Sequence, residues 1–269
     1  YYKMPTYTML GYKDNNGNYL NKESKYTRSD HYVSGFEYNS SNSSRITIEG
    51  FYKRYSQYPV SFIDNISLAN KGGGFEVLGN EPISSDGKGK TYGIETLYQQ
   101  KLNKNFYGVF AYTFFYSRFT SIEGEYLPSV WVSRHLISFS GGYKLKKNWE
   151  ISARWRFSGK TPFVPVNINA TLVSYPEIIL DYQKLGTLKL NTFNQADIRF
   201  DKKWNLKKLS FNLYFKIENF LVQSIPFPKE YGLNRDQSGL LIQPLSLVEL
   251  SREDRSNTPI PSIGIVIDY

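Results

Sequence analysis

The chain has 269 residues, with 33 Lys and Arg against 24 Asp and Glu, so its formal charge is +9. It has no cysteine, which excludes a disulfide framework, a thiolate metal site and a Cys nucleophile, and no apolar run long enough for a transmembrane helix. Aromatics at 17% are too many for a disordered chain, while a mean hydropathy of −0.46 leaves a membrane β-barrel open, because alternating strands average out.

The first residue is Tyr1 and no charged, apolar leader follows it, so the chain is expected to be a mature product or a fragment. Helical periodicity is nearly absent, and strand signals follow one another along the chain. Strands are expected near 28–38, 45–54, 91–101 and 105–118, the last aromatic on both faces and so of uncertain orientation. Next, Ile137, Phe139 and Tyr143 alternate with Ser138, Ser140 and Lys144. Trp149, Ile151, Ala153, Trp155 and Phe157 then alternate with Glu150, Ser152, Arg154 and Arg156. Ala196, Ile198, Phe200 and Trp204 oppose Gln195, Asp197, Arg199, Asp201 and Lys203. The clearest run is 209–218, where Leu209, Phe211, Leu213, Phe215 and Ile217 occupy every odd position. A period of two puts the two sets on opposite faces of a sheet. With a final strand at 261–269 the count is nine, each long enough to cross a bilayer at a tilt of roughly 45°.

The connections alternate between short and long. Asn39–Ser44, Leu102–Lys104, Lys146–Lys147 and Asn205–Lys207 are tight, whereas those near 55–90, 119–133, 159–192 and 221–259 are long. Membrane barrels show this rhythm, with short periplasmic turns and long extracellular loops. The long connections hold the punctuation: Gly72–Gly74, Ser85–Gly89 and Pro226–Pro228. No GKS or GKT motif makes a phosphate cradle of Gly72–Gly74. At the end of the chain Ile263, Ile265 and Ile267 alternate up to a terminal aromatic, Tyr269. In a barrel this is a lipid-facing stripe ending at the interface, and it resembles the pattern that the barrel-assembly machinery reads for outer-membrane sorting.

The motifs along the chain resemble the C-terminal part of a TonB-dependent outer-membrane receptor of the Bacteroidetes type. They are Tyr1–Tyr7 (YYKMPTY), Tyr26–Tyr38 (YTRSDHYVSGFEY), the Gly93-Ile94-Glu95 strand opening, Ser133-Arg134-His135, Trp155–Phe163 (WRFSGKTPF), Lys216–Gln223 (KIENFLVQ) and Pro261–Tyr269. The resemblance implies an all-β, antiparallel up-and-down transmembrane barrel of about 22 strands plugged by an N-terminal domain. Nine strands are too few to close it, so residues 1–269 are expected to be its C-terminal third, with plug and earlier strands lying elsewhere. Its implied work is uptake of a scarce solute, driven by the inner-membrane TonB complex pulling on the plug, with no covalent chemistry and no cofactor. Iron chelates, corrinoids, metal ions, glycans and peptides all use such barrels. A passive porin-like barrel and an outer-membrane hydrolase barrel are the alternatives.

Candidate site residues follow from this placement. Tyr58, Phe62, Phe75, Tyr126, Trp131 and Phe163 are the aromatic ligand candidates of the long loops. Glu95, Arg154, Arg156, Asp197, Arg199, Lys216 and Glu218 are expected to face the lumen, pairing with the plug or with one another, since buried charges need partners. The two histidines, His31 and His135, lack zinc-site spacing, and nothing places Ser133 and His135 with an Asp as a hydrolytic triad. Tyr52, Tyr107, Tyr143, Trp149 and Trp204 fit interfacial girdles. Aromatics alternate with charges instead of sharing a basic face, which argues against nucleic acid. Lys101, Lys104, Lys144, Lys146, Lys147, Lys202, Lys203, Lys207 and Lys208 all fall on the short-turn side, as a rim that can snorkel toward headgroups.

Overall fold

The structure, a computed structural model, describes residues 1–41, 43–72, 77–250 and 257–268. Nine long strands form one antiparallel sheet: β1 (Thr27–Ser41), β2 (Ser44–Ser61), β3 (Ile83–Asn103), β4 (Phe106–Thr120), β5 (His135–Lys144), β6 (Trp149–Ser158), β7 (Phe193–Asn205), β8 (Ser210–Glu218) and β9 (Ile260–Asp268). Each pairs with its neighbour in sequence, so the sheet is an up-and-down meander. All nine expected strands are present. Tyr2–Lys3 adds a short rung against the start of β1. Among the described residues β1 and β9 do not pair with each other, and the sheet is open.

Register turns the alternation into two continuous faces. Phe211, Leu213 and Phe215 of β8 lie opposite Ile267, Ile265 and Ile263 of β9. On the other side of β8, Phe211 and Phe215 meet Trp204 and Phe200 of β7. That apolar face continues through Ile151, Phe139 and Phe110 to β1. It also settles β4: Phe106, Phe110, Tyr112, Phe114 and Tyr116 share the apolar face, while Tyr107, Ala111, Thr113 and Ser117 share the other. From Phe106 to Tyr116 is roughly 33 Å of strand, or roughly 23 Å of membrane depth at a tilt of ~45°. This matches the ~25 Å apolar band of an outer-membrane barrel. The apolar face is therefore the outward, lipid-facing one.

The tight turns lie together at one end. In the β5–β6 turn, Lys147 and Asn148 both have positive φ (57° and 58°), the backbone that a tight antiparallel turn requires. The turn lysines lie at this end, where Lys202 reaches the Lys147 carbonyl and sits 5.4 Å from the Trp149 ring.

The long-loop end differs from the sequence expectation in extent. β2 runs on to Ser61 and β3 begins at Ile83, so the connection expected near 55–90 spans only 62–82. Gly87 and Gly89 are strand residues, not loop punctuation. A Cβ at Gly87 would lie 2.5 Å from the Tyr58 carbonyl, so the glycine allows close approach to β2. β4 likewise outruns β5, and its upper end pairs with the returning segment Tyr126–Pro128. The 159–192 connection contains a helix, Ile168–Ser174, which the strand-only reading missed. Asn167 caps it by accepting the Ala170 amide at 3.1 Å. The last long connection carries a small hairpin of Tyr231–Leu233 and Leu247–Glu249.

A tightly packed core sits at this end. Val60, Ile66, Leu68, Ala69, Ile83, Phe119, Val132 and Leu185 are buried there. The segments 1–26, 62–82, 121–134 and 159–192 meet around them as a cap over the long-loop end of the sheet.

Candidate functional site

The inward face of β1–β4, just below the cap, carries a row of aromatic rings. Tyr1 lies 4.8 Å from His31, His31 lies 6.4 Å from Tyr55, and Tyr55 lies 5.2 Å from Phe119. Phe119 also touches Tyr58 at 4.6 Å and Trp131 at 6.3 Å. Two backbone devices build the row. Gly89 lies between Tyr55 and Phe119 in register, and a Cβ there would sit 2.3 Å from the Phe119 ring. With no side chain in the way, the two rings meet across β3. Gln57, at φ 55°, marks a register shift that swings Tyr58 onto the same cluster. Lys53 lies opposite His31 and adds a positive charge beside the row.

Along β5–β8 the inward face is charged instead of aromatic. Arg154, Arg156, Asp197, Arg199, Lys216 and Glu218 share one face of the sheet, and register carries that face across to Glu95. Some of these charges satisfy one another. Arg199 grips Asp201 through two bonds of 2.7 and 2.6 Å and lies 3.9 Å above the Tyr214 ring, while Asn212 donates to Asp201 at 2.8 Å. Lys216 pairs with Glu218, and Asp197 accepts the Asn219 amide at 3.0 Å. Arg156 donates to the Gln195 amide oxygen and lies 5.9 Å from the Phe193 ring, and neither Arg154 nor Arg156 makes a salt bridge among the described residues. Glu95 lies directly opposite Glu49, a like-charge pair.

The cap above is pinned by buried polar groups. Lys71 is 7% exposed, and its ammonium contacts Asp64 and both carboxylate oxygens of Glu81, at 2.7 and 2.8 Å. Asn70, fully buried, donates to the Leu127 and Pro128 carbonyls at 3.1 and 2.7 Å and so ties the 62–82 segment to the 121–134 segment. Asn21 does the same for the N-terminal segment, donating to the Met9 and Glu81 carbonyls and accepting the Ile83 amide.

Of the six aromatic candidates, Tyr58 and Trp131 join the row. Phe62 is exposed just beyond β2, and Phe163 sits in a two-residue rung with Leu188. Tyr126 lies apart on the outward face, with the Lys90 ammonium 4.3 Å from its ring. Phe75 lies outside the described residues, as does Tyr269, whereas Ile263, Ile265 and Ile267 are on the outward face. Tyr55, Phe119 and His31 were missed, although Tyr55 and Phe119 continue the alternation of β2 and β4 once those strands are lengthened. His31 and His135 fall on opposite faces, His135 stacking on outward-facing Phe114 and Tyr112. Among the described residues no group of His, Asp and Glu is arranged to hold a metal ion.

A family model described as TonB dependent receptor-like, beta-barrel, matches residues 1–220. Among curated proteins none matches the chain. Among solved structures, the ferripyoverdine receptor of the outer membrane of Pseudomonas aeruginosa aligns with a TM-score of 0.55 at 14% identity, over 85% of this chain and 26% of its own. The ferric citrate transporter FecA aligns at 0.54 and 11% identity, over 90% of this chain and 32% of its own. The siderophore receptor PiuA from Acinetobacter baumannii aligns at 0.55 and 13% identity, over 94% and 30%. The chain thus spans less than a third of each of these three solved proteins, and at these identities the likeness is one of fold.

Proposed function

The chain belongs to the TonB-dependent receptor-like β-barrel family, and on that premise we propose that it forms barrel wall and extracellular cap of an outer-membrane receptor that imports a scarce solute with energy supplied through TonB. The remaining strands and a plug complete the lumen in this reading, and the plug makes the contact with the TonB complex. Arg154 and Arg156, which make no salt bridge among the described residues, are the groups offered to the plug. The C-terminal stripe of Ile263, Ile265 and Ile267 is the part offered to the barrel-assembly machinery. The protein positions and releases its cargo and performs no covalent chemistry.

The observation that carries the uptake reading is the inward aromatic row below the cap. A row of rings with Lys53 and His31 beside it suits a solute with flat or apolar parts and negative charge. An iron chelate is the class to test first, because the aligned structures are of ferripyoverdine and ferric citrate receptors. Deleting the gene is expected to abolish growth on one ferric chelate as sole iron source. Purified full-length receptor should bind that chelate, with quenching of tryptophan fluorescence. Uptake that persists after the membrane potential is collapsed would point to a passive pore instead.

A further inference from the structure

Outside the barrel, at the same height as the aromatic row, the register of β2, β3 and β4 places Arg54, Lys90 and Arg118 side by side. All three share the parity of the lipid-facing residues. Two positions nearer the membrane on each strand stand Tyr52, Tyr92 and Tyr116, stacked at 6.4 and 5.4 Å, and Tyr32 of β1 extends that row at 6.4 Å. Tyrosines gathered in such a row mark the interface of the bilayer. The cations therefore stand roughly 5 Å farther out, at the level of lipid headgroups. Arg134, whose guanidinium lies 5.0 Å above the Tyr116 ring, adds a fourth charge. Acidic neighbours do not neutralise the group. Asp30 is opposite Arg54 in register but is held by Arg28 at 3.1 Å, and none of the four cations makes a salt bridge among the described residues.

Directly beneath lies a groove of about 500 Å³ on the same outward face. Gly50 and Ser34 form its low floor, and Tyr52, Tyr92, Ile94 and Phe114 are among its walls. A row of cations without salt bridges, a phenol belt and an open apolar groove thus succeed one another down the outside of the wall. This is the order of groups in a phosphorylated acyl lipid: phosphate, polar backbone, chain.

We propose that this strip is a binding site for a phosphorylated glycolipid of the outer leaflet. Its phosphate sits among Arg54, Lys90 and Arg118, and an acyl chain lies in the groove over Gly50. Guanidinium groups suit the phosphate because they present paired donors to its oxygens. The site uses the outward side of the sheet only, so it is separate from the inward row proposed for the solute, and it rests on the barrel orientation and not on the identity of the cargo.

The test uses the full-length receptor in detergent micelles, with retained lipid counted by native mass spectrometry. Bis-phosphorylated lipid A is expected to bind about tenfold more tightly than the same lipid stripped of phosphate. The variant R54Q/K90Q/R118Q should lose that preference. The variant K146Q/K147Q/K207Q/K208Q, which removes charge at the other end of the barrel, should keep it. Millimolar inorganic phosphate should not displace the lipid. Equal retention by R54Q/K90Q/R118Q overturns the proposal. So does displacement by inorganic phosphate, which would make the patch a site for the free anion. Folding is read from the electrophoretic shift on heating. If the triple variant does not fold, R118Q alone is expected to weaken retention about threefold, and no change there overturns the proposal equally. Chelate uptake measured in the same cells should be unaltered, so that a failure of the lipid site and a failure of the uptake reading give different results.

Discussion

In the cap, Val60, Leu68 and Ala69 are no more than 4% exposed, whereas on β9 Ile263, Ile265 and Ile267 are 57–72% exposed. Both regions are apolar, but they use apolar groups in opposite ways. The cap closes side chains upon one another and drives out water, as a soluble domain does. The wall is a single layer with no second layer to bury it. Its apolar face is matched to lipid and its polar face to whatever fills the lumen. The cap's stability therefore lies within the cap, and the wall's lies in the membrane and in the backbone ladder, which leaves few amides unpaired at bilayer depth.

This contrast can be broken most directly at Lys71. Lys71→Ala would leave Asp64 and Glu81 together without their cation, at a cost of about 3–5 kcal/mol. Hydrogen exchange is expected to accelerate in 62–82 and in the segments tied to it. The β5–β8 amides should stay protected, and the heat-induced electrophoretic shift should be retained. Loss of protection throughout the wall would show that cap and wall are one cooperative unit.

The next test is on the wall itself, with two neighbours on β4. Phe110→Arg puts a charge into lipid near the bilayer midplane and should destabilise the receptor by about 2–4 kcal/mol in vesicles. Ala111→Arg, one residue on, points to the lumen opposite Leu97 and Ser138 and should cost far less. Equal costs would mean that the faces assigned to β4 are wrong. Within the cap, Asn70→Ala removes the two bonds that join separate segments and strands the Leu127 and Pro128 carbonyls. It should cost about 1–3 kcal/mol, seen as faster proteolysis of the 121–134 segment.

What the sequence makes legible divides along the same line. The wall could be read because a period of two is a local signal: Leu209 to Ile217 name their faces without reference to any other strand. β4 could not be oriented alone, because rings stand on both of its faces, and only pairing with β5 shows that Phe110 faces Phe139. The cap was not legible, because its contacts join residues far apart in the chain. Lys71, Asp64 and Glu81 look like ordinary loop charges until the loop closes on them. The glycines misled for a related reason. Gly87 and Gly89 read as loop punctuation, yet they sit within β3 where β2 and Phe119 approach too closely for a side chain.

The aromatic candidates make the finest version of the comparison, because Trp131 and Tyr126 look alike in sequence. Both belong to the 119–133 stretch, five residues apart. The structure sends them to opposite sides: Trp131 meets Phe119 and the inward row, while Tyr126 pairs with Thr120 and lies under Lys90 on the outside. Trp131→Ala and Tyr55→Ala are each expected to weaken chelate binding about tenfold, the worth of one ring stacked in a partly wet site. Tyr126→Ala should leave it unchanged. Gly89→Ala provides a check on cause, since it keeps every ring yet forces Phe119 away from Tyr55. If the row acts as a unit, Gly89→Ala lowers affinity as much as removing a ring does. If affinity falls only when Trp131 is lost, the solute touches the cap rim alone, and the wall below serves only as its support.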